Sequence, residues 1–177
     1  MENAQNPPQL VRDLMTVGVE TCSPDTPVVD LAGRLLEKGI EEVVVLADGH
    51  ALGVVGQEEL VRAFARSTLE DVKSLRASDV LREGVPQVPP NIPLTAAVEI
   101  MLDQGVRTLF LMHHAGGIEY PAAQISYRHY LRVIAAHGNE DLRDLGILAQ
   151  RRSPLDTFVQ RRDEALKKSA SNRQNIK

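Results

Sequence analysis

The chain has 177 residues, 43% of them hydrophobic, and 24 acids against 20 bases give a net charge of −4. That is core enough for one domain or two small, closely packed ones, and it excludes a chain disordered throughout. A single cysteine, Cys22, excludes an internal disulfide and a cysteine-cluster metal site, and six aromatics without tryptophan argue against a stacking platform for single-stranded nucleic acid.

The start, MENAQNPPQL, has no basic stretch followed by an apolar run, so no signal peptide is expected. The longest charge-free stretch, Gly84–Val98, contains four prolines and is too short and too broken to cross a bilayer. The expected setting is therefore cytoplasmic, with no membrane. In chain order, Thr26-Pro27 reads as an N-cap with proline at the first helical position. Val28, Leu31, Ala32, Leu35 and Leu36 then form one apolar face, and Gly39 closes the helix. Val43–Leu46 is short and β-branched, a buried strand. Asp48-Gly49 marks a turn, Gly53–Gly56 a second strand and Glu58–Arg66 a closing helix. Thr68 with Asp71 forms a capping box, so the connection that follows is expected to be helical.

The same elements then recur. Val11–Met15 matches Ala77–Leu81 at an offset of 66, which also sets Pro24 over Pro90, Pro27 over Pro93 and Gly39 over Gly105. After the strand Leu109–Met112 a longer connection raises the offset to 70, and Val55–Leu60 falls over Ile125–Tyr130. Neither copy, at about sixty residues, buries enough surface to be comfortable alone, so the two are expected to pack as one unit. Beyond them, Ser153-Pro154 opens an amphipathic helix with Leu155, Phe158, Val159 and Leu166 on one face. Residues 151–177 hold 8 bases and 3 acids, a basic tail on an acidic body.

This duplicated order, with S-P-D-T-P and P-P-N-I-P before the first helices and G-I-E-E-V-V-V-L and G-V-R-T-L-F-L-M leading into the strands, resembles a tandem pair of CBS domains, the Bateman module. The resemblance covers roughly residues 10–136. It implies an α/β fold of two β-α-β-β-α repeats packed as one module, with a C-terminal helical extension. The divisions are repeat 1 at 10–66, a helical linker at 67–76, repeat 2 at 77–136 and the extension at 137–177. It further implies a regulatory role without catalysis, in which an adenine nucleotide (AMP first, then ADP, ATP or S-adenosylmethionine) binds between the repeats and signals to a partner. A homodimer is implied, and a partner protein at the C-terminal helix is open; nucleic acid is not expected. The alternative is a dimerisation or interaction module whose nucleotide pockets have decayed.

The resemblance also assigns residues. Arg107 matches the family's phosphate-contacting base, whose guanidinium grips phosphate in a bidentate manner. Ser126 matches the hydroxyl that holds the ribose, and Gln124 and Ile125 adjoin it on the same segment. His129 stands where the family has an aspartate, and a neutral imidazole offers one acceptor where a carboxylate offers several. In the first copy Glu41, Gly56 and Glu59 take the places of base, hydroxyl and aspartate, which reads as unfit for a nucleotide. Plainer roles exist too: an ion pair for Arg107, a helix cap for Ser126 and packing for His129. His113-His114 has no companion ligands at metal spacing, so no metal is expected.

Overall fold

A computed structural model describes residues 9–138; the C-terminal helix and basic tail expected from the sequence lie outside the described residues. The elements are α1 (Val11–Leu14), β1 (Thr16–Val17), β2 (Thr21–Cys22), α2 (Val28–Lys38), β3 (Glu42–Ala47), β4 (His50–Gly56), α3 (Gln57–Arg66) and α4 (Leu69–Ser74). They continue with α5 (Ala77–Val80), β5 (Arg82–Glu83), α6 (Leu94–Gln104), β6 (Thr108–Ala115), β7 (Ile118–Ser126) and α7 (Tyr127–Ala135). No helix among the described residues is long and apolar enough to cross a membrane.

Each repeat is built around an antiparallel hairpin. Asp48 and Gly49 (φ +51° and +79°) turn the first, and Gly116 and Gly117 (φ +60° and +80°) turn the second, the left-handed conformations that a tight hairpin turn requires. Both hairpins carry a register shift at the same place, between Val45 and Leu46 and between Leu111 and Met112. Helices α2 and α6 end at Gly39 and Gly105, both left-handed, as the repeat leads one to expect. The N-terminus of α2 differs from the expectation. Its cap is Pro27 and not Thr26, because the extended Pro27 pairs with Arg76 and the Leu75 carbonyl takes the Val28 N–H.

That contact belongs to an exchange between the repeats. The segment ahead of repeat 1 packs on repeat 2, and the segment ahead of repeat 2 packs on repeat 1. Strand β1 pairs with β7 (Thr16 with Gln124, Val17 with Ala123), while β5 pairs with β4 (Arg82 with Val54, Glu83 with Gly53). The two sheets, β2-β3-β4-β5 and β1-β7-β6, are thus each completed by a strand from the other copy's lead-in. Gly53 is required here: a Cβ on it would fall 2.1 Å from the Arg82 carbonyl oxygen.

The cores follow the exchange. Val11, Leu14 and Met15 are buried with Ala97, Met101, Leu109 and Ile125 of repeat 2. Ala77, with Val80 and Leu81 beside it, is buried with Leu31, Leu35, Val43, Val45 and Val55 of repeat 1. Alternation along β3 and β6 sends Val44 and Phe110 to the opposite face, where with Val54 and Met112 they form a third core between the sheets. Because Leu14 is 2% exposed in the repeat-2 core, Leu14→Ala should cost about 2–5 kcal/mol and still unfold in one cooperative step. Urea unfolding followed by circular dichroism checks both; two separated transitions would contradict the exchange.

Candidate functional site

The fold leaves two clefts between the repeats at positions related by the repeat, and their chemistry differs. The first is a cavity of about 240 Å³. Strand β1 brings Thr16, the α2–β3 connection brings Lys38, Gly39, Ile40 and Glu41, β6 and β7 bring Thr108, Gln124 and Ser126, and α7 brings Arg128, His129 and Arg132.

Its inner wall is uncharged on the repeat-2 side. The His129 Nδ1 accepts the Ser126 N–H at 2.9 Å, which leaves the ring proton on Nε2, 2.8 Å from the Thr16 hydroxyl oxygen. The Ser126 hydroxyl lies 3.1 Å from the same Nδ1. Burial, and then the nearby Arg132 charge, push the His129 pKa down, so the imidazole is neutral. Thr108 is 2% exposed and its hydroxyl has no hydrogen-bond partner among the described residues. The outer rim is cationic. Lys38 is exposed and paired with Glu20, Arg132 is half-buried, and the exposed Arg128 donates across the cleft to the Gly39 carbonyl at 2.5 Å.

The second cleft is nearly closed, with about 30 Å³ between Glu41, Glu42, Gln57, Glu58, Arg82, Gly105, Val106 and Arg107. Here β5 supplies Arg82 where β1 supplies Thr16 to the first cleft. The Arg82 guanidinium bridges Glu59 at 3.2 Å and Glu42 at 3.4 Å, and Glu59 also accepts the Gly56 N–H at 2.9 Å. Outside it a groove of about 650 Å³ runs along α3 and α5, where Glu58 pairs with Arg62, Glu59 pairs with Arg82, and Asp79 accepts the Arg76 N–H. The 240 Å³ cavity is the better candidate, because both described residues with an unpartnered buried side-chain oxygen, Glu41 and Thr108, line it.

Of the residues assigned from the sequence, Ser126, His129 and Gln124 line the 240 Å³ cavity together. Ile125 is fully buried, its side chain in the repeat-2 core. Arg107 lines the closed cleft instead. The cause is a crossover: Glu41 of repeat 1 meets Ser126 and His129 of repeat 2, and Arg107 of repeat 2 lies on the cleft of Gln57, Glu58 and Arg82. Glu41 lines both clefts. Thr16, Thr108, Lys38, Arg128 and Arg132 were not singled out from the sequence. Arg128, between Ser126 and His129, was within reach of a charge argument; Thr16 arrives only through the exchange. Among the described residues no group of three His, Cys, Asp or Glu is placed to hold a metal ion.

Burial pushes the Glu42 carboxyl up to about 7, against the pull of Arg82 and with the help of Glu59, Glu41 and Glu58. The folded chain thus keeps a proton that the unfolded chain releases near 4.5, so this group withdraws stability as pH rises from about 4.5 to about 7. Glu42→Gln removes that dependence. The difference in melting temperature, variant minus wild type, should therefore grow between pH 5 and pH 7.5 and then level off; a difference independent of pH would contradict the assignment.

Comparison with known proteins places this geometry. Residues 11–66 match the CBS domain family. No curated protein matches the chain. Among solved structures, the CBS-domain containing protein ATU1752 from Agrobacterium tumefaciens is 26% identical with a TM-score of 0.63, covering 72% of this chain and 99% of its own. A CBS domain-containing protein from Thermotoga maritima is 19% identical with a TM-score of 0.56, covering 72% of this chain and 94% of its own. The CBS domain pair of protein MJ0100, in complex with 5′-methylthioadenosine and S-adenosyl-L-methionine, is 12% identical with a TM-score of 0.59, covering 71% of this chain and 99% of its own.

Proposed function

We propose that this chain, a CBS domain protein with the fold of a CBS domain pair, is a regulatory module that binds one adenosine derivative in its 240 Å³ cavity and passes the occupancy to a partner. The observation that carries this reading is the layout of the cavity: a buried, uncharged set of Thr108, Ser126 and His129, with the exposed Thr16 and the Glu41 carboxyl beside it, behind a cationic rim of Lys38, Arg128 and Arg132. A nucleoside suits the first and an anionic tail the second. The volume lies below the roughly 300–1,000 Å³ of most drug-sized ligand sites, so the nucleoside enters and the tail stays at the mouth. The adenosine-derived ligands of MJ0100 support the class.

The mechanism is linkage. Arg128 on repeat 2 holds the Gly39 carbonyl of repeat 1, so an anion that engages Arg128 competes with a contact joining the repeats. A ligand that makes more contact in one arrangement of the repeats shifts the population toward it. Among the candidate ligands AMP is the first to test, being the smallest with an anionic tail. Titration calorimetry should give one site per chain. A hydrogen bond to a charged group is worth about 1.5–3 kcal/mol, so Arg128→Ala should weaken AMP roughly ten- to a hundred-fold and spare adenosine. Arg107→Ala should leave both unchanged. Two sites per chain, or an AMP loss confined to Arg107→Ala, would move the phosphate to the other cleft.

A second function, self-association, is favoured by a separate observation. Leu36, Val61 and Phe64 of repeat 1 are exposed, and so are Leu102, Leu131 and Ile134, their counterparts in repeat 2. An apolar set duplicated about the internal symmetry suits an isologous contact with a second copy. Light scattering of the full chain should give the mass of a dimer, and Phe64→Asp with Ile134→Asp should give a monomer. A wild-type monomer at micromolar concentration would contradict this.

A further inference from the structure

The structure assigns Glu41 a specific task, resting on the cavity reading above: it selects the ligand by accepting a hydrogen bond from a donor on the ligand's inner end. Glu41 and Thr108 are the two described side chains with a buried polar atom, Oε2 and Oγ1, that has no partner; both residues line the 240 Å³ cavity, and Glu41 lines the closed cleft as well. A carboxylate oxygen only accepts, and so do the oxygens of an ionised phosphate. The group that meets Glu41 Oε2 must therefore be an amino group, a hydroxyl or a cation, and a phosphate there is repelled. Arg128 does not bond this oxygen; its Nη1 donates to the Gly39 carbonyl. Arg107 lies near enough to ease the charge, yet burial outweighs both arginines and raises the Glu41 pKa.

A buried acceptor without a donor is a cost to the unliganded fold, which a bound donor would remove. The cations are exposed or half-buried and the Glu41 Oε2 is buried, so an adenosine derivative would enter nucleoside first. Adenosine offers two kinds of donor, the 6-amino group and the ribose hydroxyls. Inosine lacks the first and 2′-deoxyadenosine lacks one of the second.

The test is calorimetry of the full chain with adenosine, inosine, 2′-deoxyadenosine and AMP, on wild type, Glu41→Gln and Ser126→Ala. Without ligand, Glu41→Gln should melt at or above the wild-type temperature, since it removes a buried charge. It should bind adenosine and AMP about tenfold more weakly, by the same factor for each. The analogue that lacks the group read by Glu41 should bind wild type weakly and be indifferent to Glu41→Gln. Three outcomes overturn the inference: equal wild-type affinity for adenosine, inosine and 2′-deoxyadenosine; unchanged adenosine affinity in Glu41→Gln; or a gain for AMP alone, which would set the phosphate against Glu41. Should Ser126→Ala weaken adenosine while Glu41→Gln does not, the cavity reading stands and the role of Glu41 falls. Absence of binding by wild type to all four compounds sinks both.

Discussion

The reciprocal exchange of lead-in segments is the constraint on which the rest of the structure depends, and it is written in backbone hydrogen bonds that come in matched pairs. Val11 N–H reaches the Ile92 carbonyl at 3.0 Å, and its counterpart Ala77 N–H reaches Thr26 at 2.8 Å. Arg12 bonds to Pro90 and Ser78 to Pro24, both at 2.9 Å; Leu94 bonds to Gln9 and Val28 to Leu75, again both at 2.9 Å. Each lead-in thus pairs its backbone with that of the other repeat. It also adds an edge strand and plugs the core, through Leu14 on one side and Ala77 on the other. A repeat of this size cannot bury enough apolar surface by itself, and the exchange makes the two copies one folding unit.

Exchange makes the clefts equivalent in backbone, which throws their side-chain differences into relief. Thr16 faces His129 where Arg82 faces Glu59. Thr108 lies where the other cleft has Glu42, and Ser126 where it has Gly56. In both, the side chain three residues into the helix that follows accepts the N-cap N–H: His129 takes that of Ser126, and Glu59 that of Gly56. What each has left over decides the cleft. His129 has a neutral N–H for a threonine. Glu59 has a carboxylate oxygen that takes Arg82, and with Glu42 it ties that guanidinium into the cleft. Gly56 could not become a serine without movement, since a Cβ there would fall 2.6 Å from the Glu42 side chain. One cleft is thereby filled by its own chain, and the other keeps unsatisfied oxygens.

The fold was largely legible from the repeat. Paired prolines, the closing glycines Gly39 and Gly105, and the β-branched run at Val43 all report local conformation, which neighbouring residues determine. The resemblance picked out Ser126 and His129, which the structure brings to the 240 Å³ cavity with Gln124. It set Arg107 beside them because they share a repeat. Space groups Glu41 with them instead, since each cleft takes one wall from each repeat, and no local pattern carries that crossover. Thr16 was invisible for the same reason: its partner His129 is 113 residues away. Placing the start of α2 one residue early has a related origin, as the backbone partner of Val28 comes from the other copy's lead-in.

The central claim is that one exchanged cleft accepts a ligand and its counterpart does not. Amide hydrogen exchange of the full chain, with and without saturating AMP, tests it most directly, because it reads both clefts at once. The account predicts slowed exchange at Thr16–Val17, Gly39–Glu41 and Gln124–His129, with no change at Gly56–Glu59, Arg82–Glu83 and Gly105–Arg107. Protection at the second set, or equal protection at both, would contradict it.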